Sequence, residues 1–69
     1  MNEVKTVKEA VKVAKDFLDE VLPIYLITKI IPQNGLWYVE INAAGITFSM
    51  KIDKNTGEVL EYSQFSEKE

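Results

Sequence analysis

The first third of the chain places apolar residues at steps of three and four positions, which is the spacing of one face of an α-helix. Thr6, followed three residues later by Glu9, fits a capping box at the start of a helix, and Pro23 cannot continue one. The pattern therefore predicts an amphipathic helix that begins near Thr6 and ends at Leu22. The stripe predicted to face the core consists of Val4, Val7, Ala10, Val11, Ala14, Phe17, Leu18, Val21 and Leu22.

Beyond Pro23 the spacing changes to the two-residue alternation of β-strands, interrupted by turn residues. Because short connections favour strands that are neighbours in space, we expect the sheet order 1-2-3-4. The predicted fold class is α+β, with one N-terminal helix packed on a four-stranded antiparallel meander and a single domain over residues 1–69. The predicted strands are Ile24–Ile31, Leu36–Ala43, Ile46–Asp53 and Glu58–Gln64.

Three of the strands have a clear inner face, whereas the first is apolar on both sides. The inner positions are predicted to be Trp37, Val39 and Ile41, then Ile46, Phe48, Met50 and Ile52, and finally Leu60 and Tyr62. In the first strand, one face carries Ile24, Leu26 and Ile30, and the other carries Tyr25, Ile27 and Ile31.

If the first of these two sets packs under the helix, the second lies on the open face of the sheet beside residues of the next strand. Apolar patches of this kind mark partner contacts, and a strand at a sheet edge can also recruit another strand. The alternative is that a small protein simply exposes some apolar surface. The predicted partner-binding residues are Tyr25, Ile27, Ile31, Leu36 and Tyr38, and the expected partner is another protein or a second copy of the chain.

The residue types argue against catalysis and against a bound cofactor or metal. The chain has neither cysteine nor histidine, so it lacks thiolate and imidazole ligands and the usual general base near neutral pH. The loop from Asp53 superficially resembles a calcium loop. It has glycine at the fifth position and Gln64 at the twelfth, where an EF-hand needs glycine at the sixth and glutamate at the twelfth. We therefore expect no enzyme activity, no cofactor and no metal.

Charge and hydropathy restrict the partners further. The net charge is −3 and all eight basic residues are lysine, whereas nucleic-acid binding favours a basic, arginine-rich surface. No apolar run approaches the roughly 20 residues that span a bilayer. The first residues also lack the pattern of a signal peptide. We expect a cytoplasmic protein that binds neither nucleic acid nor membrane.

The order of elements, together with the stretches Trp37–Ile41 and Phe48–Leu60, resembles the PepSY domain. That family typically has an alanine-containing helix, here with Ala10 and Ala14, and a Thr-Gly-Glu-Val-like turn into the last strand. The resemblance covers Val7 to Tyr62. It implies a non-catalytic module that binds other proteins, in some relatives as part of the inhibitory propeptide of secreted metallopeptidases.

Two other interpretations remain open. The order of Trp37, Val39, Asp53, Gly57 and Tyr62 is similar to that in gas vesicle protein O, which would imply an assembly accessory. The other interpretation is a carrier of a small apolar ligand, which requires a cavity between the helix and the sheet near Trp37 and Met50.

Overall fold

The computed structural model describes residues 3–64, which form one helix and one antiparallel sheet. The four strands follow one another in space in the order β1-β2-β3-β4, and the helix lies across one face of the sheet. The predicted α+β fold and sheet order are confirmed. The elements are α1 (Val7–Val21), β1 (Leu26–Gln33), β2 (Leu36–Ala43), β3 (Ile46–Asp53) and β4 (Val59–Gln64).

The start of α1 has the predicted capping box. Thr6 Oγ1 accepts a hydrogen bond from the Glu9 amide at 3.1 Å, and Glu9 Oε1 accepts one from the Thr6 amide at 3.2 Å. These two bonds satisfy amides that would otherwise lack a partner in the first turn. At the other end, Leu22 is already extended and its amide donates to the Leu18 carbonyl at 2.8 Å. Pro23 follows directly, so the helix ends where proline requires it to.

The core lies between α1 and the inner face of the sheet. The helix contributes Ala10, Ala14 and Leu18, all without solvent exposure, and the two alanines let its backbone lie close to the strands. The only tryptophan, Trp37, is 4% exposed and belongs to this core, as its spacing predicted. The remaining buried core residues are Val4, Val39, Ile41, Met50 and Ile52.

A β-bulge in β1 changes the predicted faces of the first strand. Ile27 pairs with Ile41 and Lys29 pairs with Glu40, so Thr28 is an extra residue in β1. The Thr28 hydroxyl donates to the Glu40 carbonyl at 3.3 Å. Because the extra residue reverses the alternation, Ile27 and Ile30 face the core although they are three positions apart.

The predicted placement of the first strand is therefore wrong for four of its six residues. Ile24 and Leu26, predicted to pack under the helix, are 80% and 65% exposed. Tyr25 and Ile27, predicted to lie on the open face, are half-buried and pack against the core. Ile30 and Ile31 lie on the faces that were predicted for them.

The other edge strand, β4, has the same irregularity. Lys51 pairs with Glu61 and Ile52 pairs with Val59, so Leu60 is the extra residue and is 51% exposed. The prediction that Leu60 is an inner residue is wrong, and Val59 takes its place. Tyr62 is an inner residue as predicted, and its ring centre lies 5.0 Å from that of Phe17 and 5.5 Å from that of Phe48.

Hydrogen bonds between three segments close the end of the sheet near the start of α1. The Val4 amide donates to the Lys54 carbonyl at 2.7 Å, and the Lys54 amide donates to the Gly35 carbonyl at 3.0 Å. The Trp37 indole nitrogen donates to the Val4 carbonyl at 2.8 Å. We call this the closed end. It joins the segment before the helix to the β1–β2 turn and the β3–β4 loop.

The opposite end carries the tight β2–β3 turn. Ala44 and Gly45 connect the paired residues Ala43 and Ile46, and both have positive φ angles of 55° and 79°. This combination is that of a two-residue type I′ hairpin, whose twist suits antiparallel strands. Ala44 is the only non-glycine residue with positive φ among residues 3–64.

Candidate functional site

The face of the sheet opposite α1 is not covered by any described element, and its side chains form four rows across the strands. The row nearest the Ala44–Gly45 turn is Leu26, Asn42 and Thr47, and the next is Lys29, Glu40, Ser49 and Ser63. The third row is Ile31, Tyr38, Lys51 and Glu61, and the last is Gln33, Leu36 and Asp53. Apolar side chains therefore concentrate in the last two rows, beside β1.

The structure brings three of the five predicted partner-binding residues together in these rows. Ile31 lies directly opposite Tyr38, and Leu36 is on the same strand and face as Tyr38, two positions away. Ile31 is 38% exposed, and Leu36 and Tyr38 are half-buried in the single chain. We call Ile31, Leu36 and Tyr38 the face patch. Their role in binding a partner stays a prediction.

Tyr25 and Ile27 do not belong to the face patch. Ile27 lies beside the buried Ile41 on the inner face. The Tyr25 hydroxyl donates to Asp19 Oδ1 at 2.6 Å, and Lys15 Nζ lies 5.7 Å from the centre of the Tyr25 ring. The hydrogen bond to Asp19 is the main cause that raises the pKa of Tyr25 to about 12. Both side chains thus support the packing of helix on sheet.

Charges of both signs surround the face patch. The Tyr38 hydroxyl donates to Glu40 Oε2 at 2.9 Å, and burial together with this bond raises the pKa of Tyr38. Lys51 Nζ lies 3.4 Å from Glu61 Oε1, and Lys29 stands opposite Glu40. The uncovered face therefore combines an apolar patch with two cross-strand pairs of opposite charge.

A second surface feature, which the sequence reasoning missed, lies beyond the C-terminal end of α1. It is an apolar cleft of about 420 Å³ between the segment that leaves the helix and the β2–β3 turn. The signal for it in the sequence is the apolar run on both sides of Pro23, which is too long for a solvated connection. The cleft is lined by Leu22, Pro23, Ile24, Ala43, Ala44, Ile46 and Phe48.

This cleft is not the ligand cavity expected near Trp37 and Met50. Both of those side chains are buried in the core cluster, where Met50 has no solvent exposure and Trp37 also bonds to Val4. Neither of them lines the cleft. A carrier function would therefore have to use the cleft at the end of the helix.

Residues 3–64 contain neither a metal-binding cluster of carboxylates nor a helix that spans a membrane. Within that range, no three acidic residues come together in a group that could hold a metal ion. The single helix found there is neither long enough nor apolar enough to cross a bilayer.

Comparison with known proteins assigns the family. The family model PepSY, described as the peptidase propeptide and YPEB domain, matches residues 4–62. This range contains the whole helix and reaches β4, and its last residue, Tyr62, packs on Phe17 and Phe48. No curated protein and no solved structure gives a significant match. Because the family model covers nearly all of the chain, the protein is a member of the PepSY family.

Proposed function

We propose that the protein is a non-catalytic interaction module that associates through the uncovered face of its sheet, with a second copy of the chain as the partner. The observation that carries this proposal is the face patch, which exposes apolar side chains on a face that no described element covers. The description of the family as the peptidase propeptide and YPEB domain is consistent with a binding role. Regulation of a peptidase through the same face is the more specific form of the proposal.

The charges on the uncovered face favour a second copy. A face with one sign of charge would repel its own copy, whereas this face has lysine and glutamate in each of its two central rows. Two copies related by a twofold axis can therefore place lysine of one chain near glutamate of the other. The broad side of the molecule also has a suitable size. The described part of the chain measures 34 × 27 × 16 Å, and its broad side accommodates the roughly 800 Å² per partner of a standard interface.

The face is a better candidate than the free edge of β1. Strand addition requires a regular row of backbone donors and acceptors, and Pro32 lacks an amide hydrogen. The bulge at Thr28 distorts the same edge further along. Both features are typical of edges that natural proteins protect from pairing.

The test is the solution mass across a concentration series, measured by light scattering after size-exclusion chromatography. We expect the wild-type chain to shift from monomer to dimer as its concentration rises. The Ile31→Glu variant should remain monomeric, because a charge within the patch would be buried by the partner. Far-UV circular dichroism should show that this variant keeps its fold, since Ile31 is 38% exposed.

Leu26→Glu is the matched control. Leu26 lies on the same strand and the same face, is apolar and is 65% exposed, but it stands in the polar row farthest from the patch. This variant has the same net charge as Ile31→Glu and should still dimerise. A wild-type chain that stays monomeric at every concentration would refute self-association. Equal loss of dimer in both variants would refute the placement at the face patch.

A further inference from the structure

The cleft beyond α1 is of a size and chemistry that suit an apolar side chain. Its volume of about 420 Å³ lies at the lower end of the range of roughly 300–1,000 Å³ found for ligand pockets. All seven lining residues have hydrocarbon or aromatic side chains, so none can donate or accept a hydrogen bond through its side chain. A polar metabolite would lose its hydration there without compensation. An apolar group has no such hydration to lose, and the polar backbone to which it is attached can stay at the surface in contact with water.

The charged side chains in the last turn of α1, the turn next to the cleft, are both acidic. They are Asp19 and Glu20, which stand three and two residues before Leu22, a lining residue of the cleft, whereas Lys15 is one turn earlier and lies 5.7 Å from the centre of the Tyr25 ring. Asp19 Oδ1 accepts a hydrogen bond from the Tyr25 hydroxyl at 2.6 Å, and the ion pairs found within residues 3–64 include neither Asp19 nor Glu20. The last turn of α1 has no basic residue, although the C-terminal end of a helix carries partial negative charge. These features favour a cation and repel an anion.

We propose that the cleft binds an apolar side chain of a partner polypeptide in which lysine or arginine residues flank that side chain. The hydrocarbon walls take up the apolar group, and the flanking cations lie near Asp19, Glu20 and the helix end. The same charges disfavour a fatty acid, whose carboxylate would stand beside the acidic helix end. This site is at the opposite end of the sheet from the β1–β2 turn beside the face patch, and the proposal does not depend on self-association.

The binding test uses the full chain and three fluorescein-labelled hexapeptides, followed by fluorescence anisotropy. In the first peptide, leucine and phenylalanine are flanked on each side by two arginines. The second has glutamates in place of the arginines, and the third keeps the arginines but has two serines at the centre. We expect the first to bind at least about fivefold more tightly than either of the others, and to weaken as salt is added.

Two variants, each with a matched control, test whether the peptide binds in the cleft. Ile24 is 80% exposed, so Ile24→Ser should leave the fold intact and weaken binding of the first peptide about tenfold. Its control is Leu60→Ser, which removes an exposed apolar side chain away from the cleft and should not change the affinity. Glu20→Lys should weaken binding about two- to fivefold. Its control is Glu58→Lys, which makes the same charge change beside the β3–β4 loop and should have no effect.

Other occupants would give different results. Equal affinity for all three peptides, or no binding of the first, would overturn the proposal. So would binding that Ile24→Ser leaves unchanged. Tighter binding of an uncharged alkyl alcohol than of the first peptide would indicate a small-ligand site instead. If Ile31→Glu abolishes peptide binding, the peptide occupies the face patch and the assignment to the cleft is wrong. A dimer lost through Ile24→Ser would identify the cleft as the surface for a second copy.

Discussion

Ala44 offers the clearest way to stabilise the domain, because it holds a backbone conformation that its side chain disfavours. Its φ angle is 55°, and it is followed by Gly45 with a φ angle of 79°. Left-handed backbone costs an ordinary residue roughly 1–2 kcal/mol, whereas asparagine tolerates it through its short polar side chain. Replacing Ala44 with asparagine creates the Asn-Gly pair that two-residue hairpins prefer.

The expected gain is smaller than the full conformational penalty. Asparagine recovers only part of that cost, and Ala44 also contributes a methyl group to the wall of the cleft. We expect Ala44→Asn to raise the free energy of unfolding by about 0.5–1 kcal/mol. For a domain of this size, the midpoint of thermal unfolding should then rise by roughly 2–8 °C. Ala44→Gly should raise it less, because glycine also gains freedom in the unfolded chain.

The measurement is urea unfolding of wild type, Ala44→Asn and Ala44→Val, followed by circular dichroism at a fixed low protein concentration. The fixed concentration keeps any self-association equal between variants. Valine is β-branched and should destabilise the turn, since positive φ is least accessible to such residues. An Ala44→Asn variant no more stable than wild type, or a valine variant of equal stability, would refute the strain argument.

Two further predictions concern the helix side of the sheet. Ile27→Asp should unfold the domain or cost at least about 3 kcal/mol, whereas Leu26→Asp should cost less than about 1 kcal/mol, because only Ile27 packs against the core. Thermal unfolding of the two variants checks this, and equal effects would contradict the bulge at Thr28. The second prediction is a pH dependence. The folded-state pKa of Tyr25 is raised to about 12 from an ordinary value of 10.0, so its neutral form contributes stability that is complete below about pH 10 and is lost as the pH rises through 12. Urea midpoints of wild type and Tyr25→Phe, compared from pH 8 to 12, should therefore converge at high pH, and a constant difference would contradict the role of the Asp19 bond.

The sequence predicted the fold well because most of its local signals agree with one another. The capping box at Thr6, the break at Pro23 and the alternation from Trp37 to Ile41 each need only neighbouring residues to operate. The β3–β4 loop is also stabilised by neighbouring residues, since Asp53 Oδ1 accepts hydrogen bonds from the Asn55 amide at 2.7 Å and the Thr56 amide at 3.2 Å. Such interactions can be recognised from spacing alone.

The candidate site was predicted less well, because both edge strands contain a bulge. A strict period of two assigned Tyr25 and Ile27 to the open face, and it made Leu60 an inner residue. One extra residue in each strand reverses the alternation, which leaves the inward pairs Ile27–Ile30 and Val59–Tyr62 three positions apart. The spacing of three between apolar residues was visible in the sequence. Its meaning depends on how the neighbouring strand pairs, which is a tertiary property.

The closed end has a consequence for the order in which the domain assembles. Val4 bonds to Lys54 and to the indole of Trp37, and Lys54 bonds to Gly35. The Val4–Lys54 bond joins residues 50 positions apart, the Trp37–Val4 bond joins residues 33 apart, and the Lys54–Gly35 bond joins residues 19 apart. The Lys54 carbonyl is held beside the β1–β2 turn by the Lys54–Gly35 bond, so we expect the segment before the helix to dock after β1, β2 and β3 have paired. We therefore expect the segment before α1 to be among the last parts of the domain to reach its final position.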